Sequence, residues 1–330
     1  MTHMNVERER RTFSALETAA FDGQALLERG TALLEYEPPA PNPGRAYLKH
    51  CRSQHLSPTA RLRNAIENHE LSLHYQPQYA ISGGRFYGLE ALARWFLPSG
   101  ESIAPTIFVQ RAEQNGLIGA LGAWVLHEAC TTVAAWHRDS ELLPILCVNV
   151  SPRQISHEFC SVLATTLERT GFPAARLELE ITEGILIEQP ELALECLAQW
   201  KRLGVRISLD DFGTGYSSLN YLSRLPVDRI KIDKSLIHRM SAEVKTAAIV
   251  RAIISLGADL GCAVLAEGVE SERQLTMLIG MGCQQVQGYL LARPARADKA
   301  RALLAANQGK RPIPHPYPAA CSATASSHAF

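Results

Sequence analysis

Two adjacent aspartates, Asp210 and Asp211, close the apolar run VRISLD (205–210) and open a loop, FGTGYSSL (212–219), rich in small residues. Side-by-side carboxylates repel each other unless a cation or a proton relieves them. Other apolar runs end the same way. Polar residues stand at or near the end of seven such runs: Glu90; Asn149; Glu180 with Glu183; Asp210 with Asp211; Lys231 with Asp233; Glu267 with Glu270; and Gln287. Each has a simple structural explanation when taken alone. An Asp before a short helix caps it, an Asn can bond its own turn, and Lys231 can pair with Asp233.

The elements that must position these residues follow from the pattern of apolar runs. Strands are predicted over 71–78, 86–94, 145–150, 176–182, 205–210, 229–233, 263–269 and 284–289. Helices are predicted over 105–115, 117–137, 158–170, 190–203, 216–224, 243–260, 271–281 and 296–305. Eight strands, most followed by a helix, predict an α/β fold, a modified (β/α)8 TIM-like barrel, with a doubly wound open sheet as the rival. Only AISGGR joins the first two strands. Parallel neighbours need a crossover, so the first strand is expected to run antiparallel to the second. In such a barrel the strand ends converge on one rim, where chemistry sits.

Composition bounds the alternatives. Lys and Arg together number 33, as do Asp and Glu, so the formal net charge is zero. That predicts no bulk attraction to DNA, RNA or an anionic membrane. The charged start MTHMNVERERRTF lacks an apolar signal core, and no long uninterrupted apolar run stands out, so a cytoplasmic chain with no membrane span is expected. The eight cysteines form no C-x-x-C and mostly sit in apolar runs, which predicts reduced, buried thiols and no zinc site. Residues 6–36 read as a charged amphipathic helix, broken by EPPAPNPGRA (37–46). The domain reading is a helical or linker segment over 1–56, a barrel over 57–306, and a disordered Pro/Ser/Ala-rich tail over 307–330.

Charge decides what the rim would hold. Glu90, Glu180, Asp210, Asp211 and Glu267 oppose one ammonium, Lys231, leaving four negative charges. Like charges about 4 Å apart cost several kcal/mol at an effective dielectric near 20. Two divalent cations would cancel the excess. A donor set of carboxylates and one amide oxygen suits Mg²⁺ or Mn²⁺ rather than zinc. Two-metal centres commonly carry out in-line displacement at phosphorus.

The blocks GLEALARW, VNVSPRQ, LELEITE, SLDDFGTGYSSLNYL, RIKIDKSL, LAEGVE and QGYLLARP occur in one order over about 62–300. In this the chain resembles the EAL-domain cyclic-di-GMP phosphodiesterases. The resemblance implies that Glu90, Asn149, Glu180 and Asp210 hold one metal ion. It implies that Asp210, Asp211 and Glu267 hold a second, with Asp210 as the bridge; Ca²⁺, larger and taking more ligands, is expected to occupy the site and inhibit. Lys231 matches the catalytic lysine beside the attacking water; among so many carboxylates it is expected to stay charged, which leaves the water's proton to Glu267 or the metals. Gln76, Leu92, Arg94 and Gln287 match residues around the dinucleotide and the metal's water, and Glu183 matches the anchor of the loop after the fifth strand. None of these positions departs from the family pattern. The implied reaction opens cyclic di-GMP to linear 5′-pGpG, in a homodimer coupled through that loop. No cyclase half of the GGDEF type is apparent. The competing readings are a cyclic-di-GMP receptor or partner-binding module without turnover, and an enolase-like proton-abstracting barrel.

Overall fold

The computed structural model describes residues 57–68, 70–97, 100–137, 143–184, 190–213, 222 and 224–306. The expected segments 1–56 and 307–330, and most of the helix expected over 216–224, lie outside the described residues.

The barrel begins with a hairpin. β1 (Leu71–Ala80) and β2 (Arg85–Phe96) pair antiparallel, joined by a tight turn in which Gly83 and Gly84 take positive φ. β3 (Ser102–Ile103) adds two residues to the edge of β2. From β2 the sheet runs parallel through β4 (Ile145–Val150), β5 (Leu177–Thr182), β6 (Arg206–Phe212), β7 (Arg229–Ile232), β8 (Ala263–Ala266) and β9 (Gln285–Val286). β9 returns to β1 antiparallel and closes an eight-stranded barrel, with β1 reversed against both neighbours. The two-residue β10 (Ala295–Arg296) also lies on β1. This is the modified (β/α)8 barrel expected from the strand count.

Helices cover the outside: α1 (Pro58–Glu67), α2 (Pro105–Gln114), α3 (Ile118–His137), α4 (His157–Thr170), α5 (Pro190–Arg202), α6 (Lys234–Met240), α7 (Val244–Asp259), α8 (Glu272–Gly280) and α9 (Ala297–Ala306). Their ends are written locally. Ser57 and Ser156 cap α1 and α4, and Ser271 with Gln274 forms a reciprocal capping box at α8. α1 and α6 are not among the expected helices. Asp233 serves as the N-cap of α6, accepting from the Ser235 N–H at 2.9 Å, so this strand-end carboxylate is structural. By length and composition α3 could cross a membrane over Ile118–Trp136. Its Leu126, Ala129, Cys130, Val133 and Trp136 nevertheless pack in the barrel core. The six described cysteines are buried and free.

Strand alternation sorts side chains into two environments. Leu179, Ile181, Ile207, Leu209, Ile230 and Ile232 join the core with Phe159, Leu163, Leu197, Trp200 and Val250 of the helices. The alternate positions face the barrel axis. Contacts between non-neighbouring strands prove it: Lys231 on β7 reaches Glu180 on β5 and Glu90 on β2, and Arg229 on β7 reaches Gln78 on β1. The interior therefore has two polar layers. Near the strand ends lie Gln76, Glu90, Asn149, Glu180, Asp210 and Lys231; two residues away on the same strands lie Gln78, Gly88, Cys147, Glu178, Ser208 and Arg229. Barrels usually fill such layers with branched aliphatics.

Candidate active site

Lys231 is the centre of the outer layer. It is fully buried, with Nζ 2.7 Å from Glu267 Oε1, 2.9 Å from Glu180 Oε2, 3.1 Å from Asp210 Oδ1 and 3.9 Å from Glu90 Oε1. These are the distances of charge-assisted contacts. Burial would strip its proton, but Asp210, Glu180, Glu267 and Glu90 outweigh burial and hold it well above the ordinary lysine range. In the metal-free site these carboxylates keep Lys231 charged.

One ammonium does not neutralise what surrounds it. Burial drives Glu180 well above the usual carboxylate range, and Glu90 and Asp210 add to the rise. Both Glu180 carboxylate oxygens are buried, with Lys231 Nζ 2.9 Å from Oε2. Burial likewise outweighs Lys231 at Glu267 and lifts its carboxyl to about 8. Asp211, exposed at the mouth but partly desolvated and next to Asp210, rises to about 6. Glu90 moves the other way. Burial opposes its charge, but Lys231, the Gln287 amide at 2.6 Å and the Asn149 amide at 2.8 Å overcome it. The Asn149 NH2 donates to Glu90, and an amide oxygen is the only other polar atom this side chain offers.

The aspartate pair depends on a backbone irregularity. In a regular strand Asp210 and Asp211 would point to opposite faces. Between Leu209 and Phe212, β6 carries one residue more than the facing stretch of β7, a bulge. Asp211 sits there with φ of 55°, a left-handed conformation rare outside glycine, and its N–H donates to Asp210 Oδ1 at 2.9 Å. The bulge brings ligand oxygens of Asp210, Asp211 and Glu267 within 4.8 Å of one another. The next residue, Gly213, has φ of 95°, and a Cβ there would lie 2.6 Å from Leu236 Cδ1. Its N–H donates to Glu183 Oε1 at 3.1 Å.

The residues singled out from sequence fall into three groups. Glu90, Glu180, Asp210 and Glu267 meet Lys231 directly, Asn149 and Gln287 meet Glu90, and Asp211 joins Asp210 and Glu267. Gln76 lies opposite Glu90 in the hairpin and accepts from Gln287 Nε2 at 3.1 Å. Leu92 and Arg94 lie two and four residues farther along β2, and Arg94 Nη1 donates to the Ala93 carbonyl. Glu183 touches the loop rather than the cluster, and most of 212–219 lies outside the described residues. Sequence reasoning overlooked Gln78, Glu178 and Arg229. Their alternation with apolar residues reads as one solvated strand face, whereas both faces of a barrel strand are buried.

A surplus of buried carboxylates around one ammonium, and an all-oxygen donor set, fit divalent cations at this mouth. A model of the EAL domain matches residues 59–294. The chain belongs to the EAL-domain family. This EAL domain is similar to an uncharacterized signaling protein of Caulobacter vibrioides, 45% identical over 238 residues, covering 72% of this chain and 29% of the relative. It is 41% identical over 245 residues to the bifunctional diguanylate cyclase/cyclic di-GMP phosphodiesterase MucR of Pseudomonas aeruginosa, covering 74% of this chain and 36% of MucR. The chain thus spans about a third of the length of these relatives. A solved MucR phosphodiesterase structure, a complex with c-di-GMP, superposes with a TM-score of 0.70 at 41% identity, covering 72% of this chain and 97% of that one.

Proposed function

We propose that the chain hydrolyses cyclic di-GMP to linear 5′-pGpG with two divalent cations, Mg²⁺ or Mn²⁺, in bacterial second-messenger signalling. The observation that carries this reading is the buried carboxylate cluster around Lys231, in a barrel so similar to a phosphodiesterase solved with c-di-GMP. Glu90, Asn149, Glu180 and Asp210 would hold one ion, and Asp210, Asp211 and Glu267 the other. When bound, such a pair activates water and neutralises phosphate charge. Lys231, within ion-pair reach of Glu180, Asp210 and Glu267, would hold the attacking water and offset the charge that grows on the phosphoryl oxygens. Glu267, 2.7 Å from Lys231 Nζ, would be the carboxylate nearest that water and would receive its proton. Gln76, Leu92, Arg94 and Gln287 would bind and orient the dinucleotide. On this reading residues 57–306 form the catalytic unit, and the protein acts in the cytoplasm as a homodimer.

The test incubates the purified chain with cyclic di-GMP in Mg²⁺, Mn²⁺, Ca²⁺ or chelator and separates the products by chromatography. The expected result is 5′-pGpG with Mg²⁺ or Mn²⁺ alone. Ca²⁺ takes more ligands at longer distances, so it should bind without supporting turnover. Binding without product in every metal would make the chain a receptor. Near wild-type turnover by Asp210→Asn would remove the bridging assignment.

A further inference from the structure

Below the carboxylate cluster the barrel interior carries a chain of hydrogen bonds that the metal ligands alone do not explain. Arg229 Nη1 donates to Gln78 Oε1 at 2.8 Å. Gln78 Nε2 donates to Gln287 Oε1 at 2.9 Å. Gln287 Nε2 donates to Glu90 Oε2 at 2.6 Å and to Gln76 Oε1 at 3.1 Å. Gln76 Nε2 donates in turn to the Ala292 carbonyl at 3.1 Å.

Resting on the hydrolytic reading above, we infer that Gln78 and Arg229 are positioning residues that set the amide orientation of Gln287, and through it Glu90 and Gln76. The argument is one of polarity. A guanidinium only donates, and an ionised carboxylate only accepts. The two amides between Arg229 and Glu90 must each accept at oxygen and donate at nitrogen. Turning Gln287 over would set its oxygen against those of Glu90 and Gln76. Turning Gln78 over would set its NH2 against the guanidinium. The relay therefore has one arrangement, fixed by the charges at its ends.

The relay is itself held rigidly. Arg229 is fully buried, with Nε 3.2 Å from Glu178 Oε1 and its guanidinium carbon 4.5 Å from the centre of the Tyr87 ring. Cys147 Sγ also approaches Gln78 Oε1, at 3.5 Å. Opposite Gln78 on β2 stands Gly88, where a Cβ would lie 3.3 Å from Gln78 Oε1 and 2.8 Å from the Ile145 carbonyl oxygen. Neutralising Glu178 does not require this geometry, because Arg206 also pairs with Glu178, at 3.1 Å. The Arg229 fork reaching Gln78 is what charge neutralisation leaves unexplained.

The experiment reads Mn²⁺ affinity by calorimetry on the purified full chain without substrate. The melting temperature of the metal-free protein is read in parallel. Gln78→Met and Arg229→Lys should each raise the Mn²⁺ dissociation constant by about 10–100-fold, the usual effect of losing a group that holds a metal's ligands. Gln78→Glu sharpens the test. The new carboxylate still accepts from Arg229 but cannot donate, so Gln287 must turn to satisfy it, and the loss should exceed that of Gln78→Met. Gln285→Met is the control: Gln285 is buried two residues before Gln287, outside the relay, with Oε1 unbonded, and its variant should keep the wild-type curve. Unchanged Mn²⁺ affinity in the Gln78 variants, even with a lowered melting temperature, would overturn the inference. Equal losses in Gln285→Met would do the same. Should Gln78→Met fail to fold, Arg229→Lys and Gln78→Glu decide. A wild type that binds Mn²⁺ but leaves cyclic di-GMP intact would end the hydrolytic reading and leave the relay standing. A wild type that binds no Mn²⁺ would overturn both.

Discussion

Glu178 and Glu180 lie two residues apart on one strand, both buried and both facing the barrel axis, yet their surroundings are opposite. Glu178 has two guanidinium partners, Arg206 at 3.1 Å and Arg229 at 3.2 Å. Glu180 shares one ammonium with three other carboxylates. At Glu178 the carboxylate is compensated by two guanidinium groups. The layer around Glu180 opens at the mouth and carries excess negative charge. A fold gains nothing from such an excess, so its place is explained by what binds there. Identical chemistry two residues apart thus serves structure in one layer and a site in the other.

The sharpest way to break this comparison is one amide substitution in each layer. Glu178→Gln removes a carboxylate from the fully buried Arg229, and breaking a buried pair by deleting one partner typically costs about 3–5 kcal/mol. The residual contact of Glu178 with the half-exposed Arg206 is lost as well. Urea unfolding of the metal-free protein should show the drop. Glu180→Gln should leave the metal-free protein as stable as wild type or more so, because it relieves repulsion, while abolishing turnover in Mg²⁺. Equal destabilisation by the two variants would mean that the outer layer is not charge-strained.

The layers also differ in how far the sequence discloses them. The outer layer was legible because its polar residues terminate apolar runs, and strand ends in a barrel converge. The deeper layer was not, because Glu178 in RLELE and Arg229 in RIKID look like solvated positions of an alternating strand. The barrel was legible from eight apolar runs and a short first link. The β6 bulge was not: nothing in SLDDF announces that Asp211 takes φ of 55°, since that conformation is imposed by the pairing of β6 with β7. The last strand was expected over 284–289, but only Gln285–Val286 pairs, because beyond it the chain turns back over Val269 through the N–H groups of Val269 and Leu290. β3 and β10, at two residues each, are too short to leave a pattern.

A smaller effect separates the layers by pH. Glu267 titrates near 8 in the folded metal-free protein and near 4.5 when unfolded; Asp211 titrates near 6 against 3.8. Between each pair of values the folded state binds more protons, so stability falls as pH rises. Metal-free protein should therefore be most stable near the acidic end of this window and lose stability up to about pH 8, by at most about 1.4 kcal/mol per pH unit for each fully differing group. Partial exposure of both residues reduces that slope. Mg²⁺ or Mn²⁺ should flatten it, since the ions favour the deprotonated ligands. Melting temperatures across pH with and without Mn²⁺ check this, and a metal-free curve that rises toward pH 8 would contradict the assignment.

The smallest expected effect lies at the edge of the outer layer, at Glu183. Its Oε1 accepts from the Gly213 N–H at 3.1 Å, the first residue after the bulged strand. Gly213 holds a positive φ and has no room for a Cβ beside Leu236, so the chain leaves Asp211 along one fixed path. A hydrogen bond to a charged group contributes about 1.5–3 kcal/mol. Losing part of it would let the path from Asp211 drift without removing any ligand. Glu183→Gln keeps an acceptor oxygen and loses the charge, so activity at limiting Mn²⁺ should fall several-fold and excess Mn²⁺ should restore much of it. A loss that saturating metal cannot restore would place Glu183 in the chemistry itself. If instead Glu183 only solvates the turn after β5, activity plotted against Mn²⁺ concentration will superimpose on wild type, and the anchoring role is lost. Gly213→Ala approaches the same point from the other side. It forces the backbone to move against Leu236 while leaving every carboxylate in place, so it should shift the Mn²⁺ curve in the same direction as Glu183→Gln, and by more.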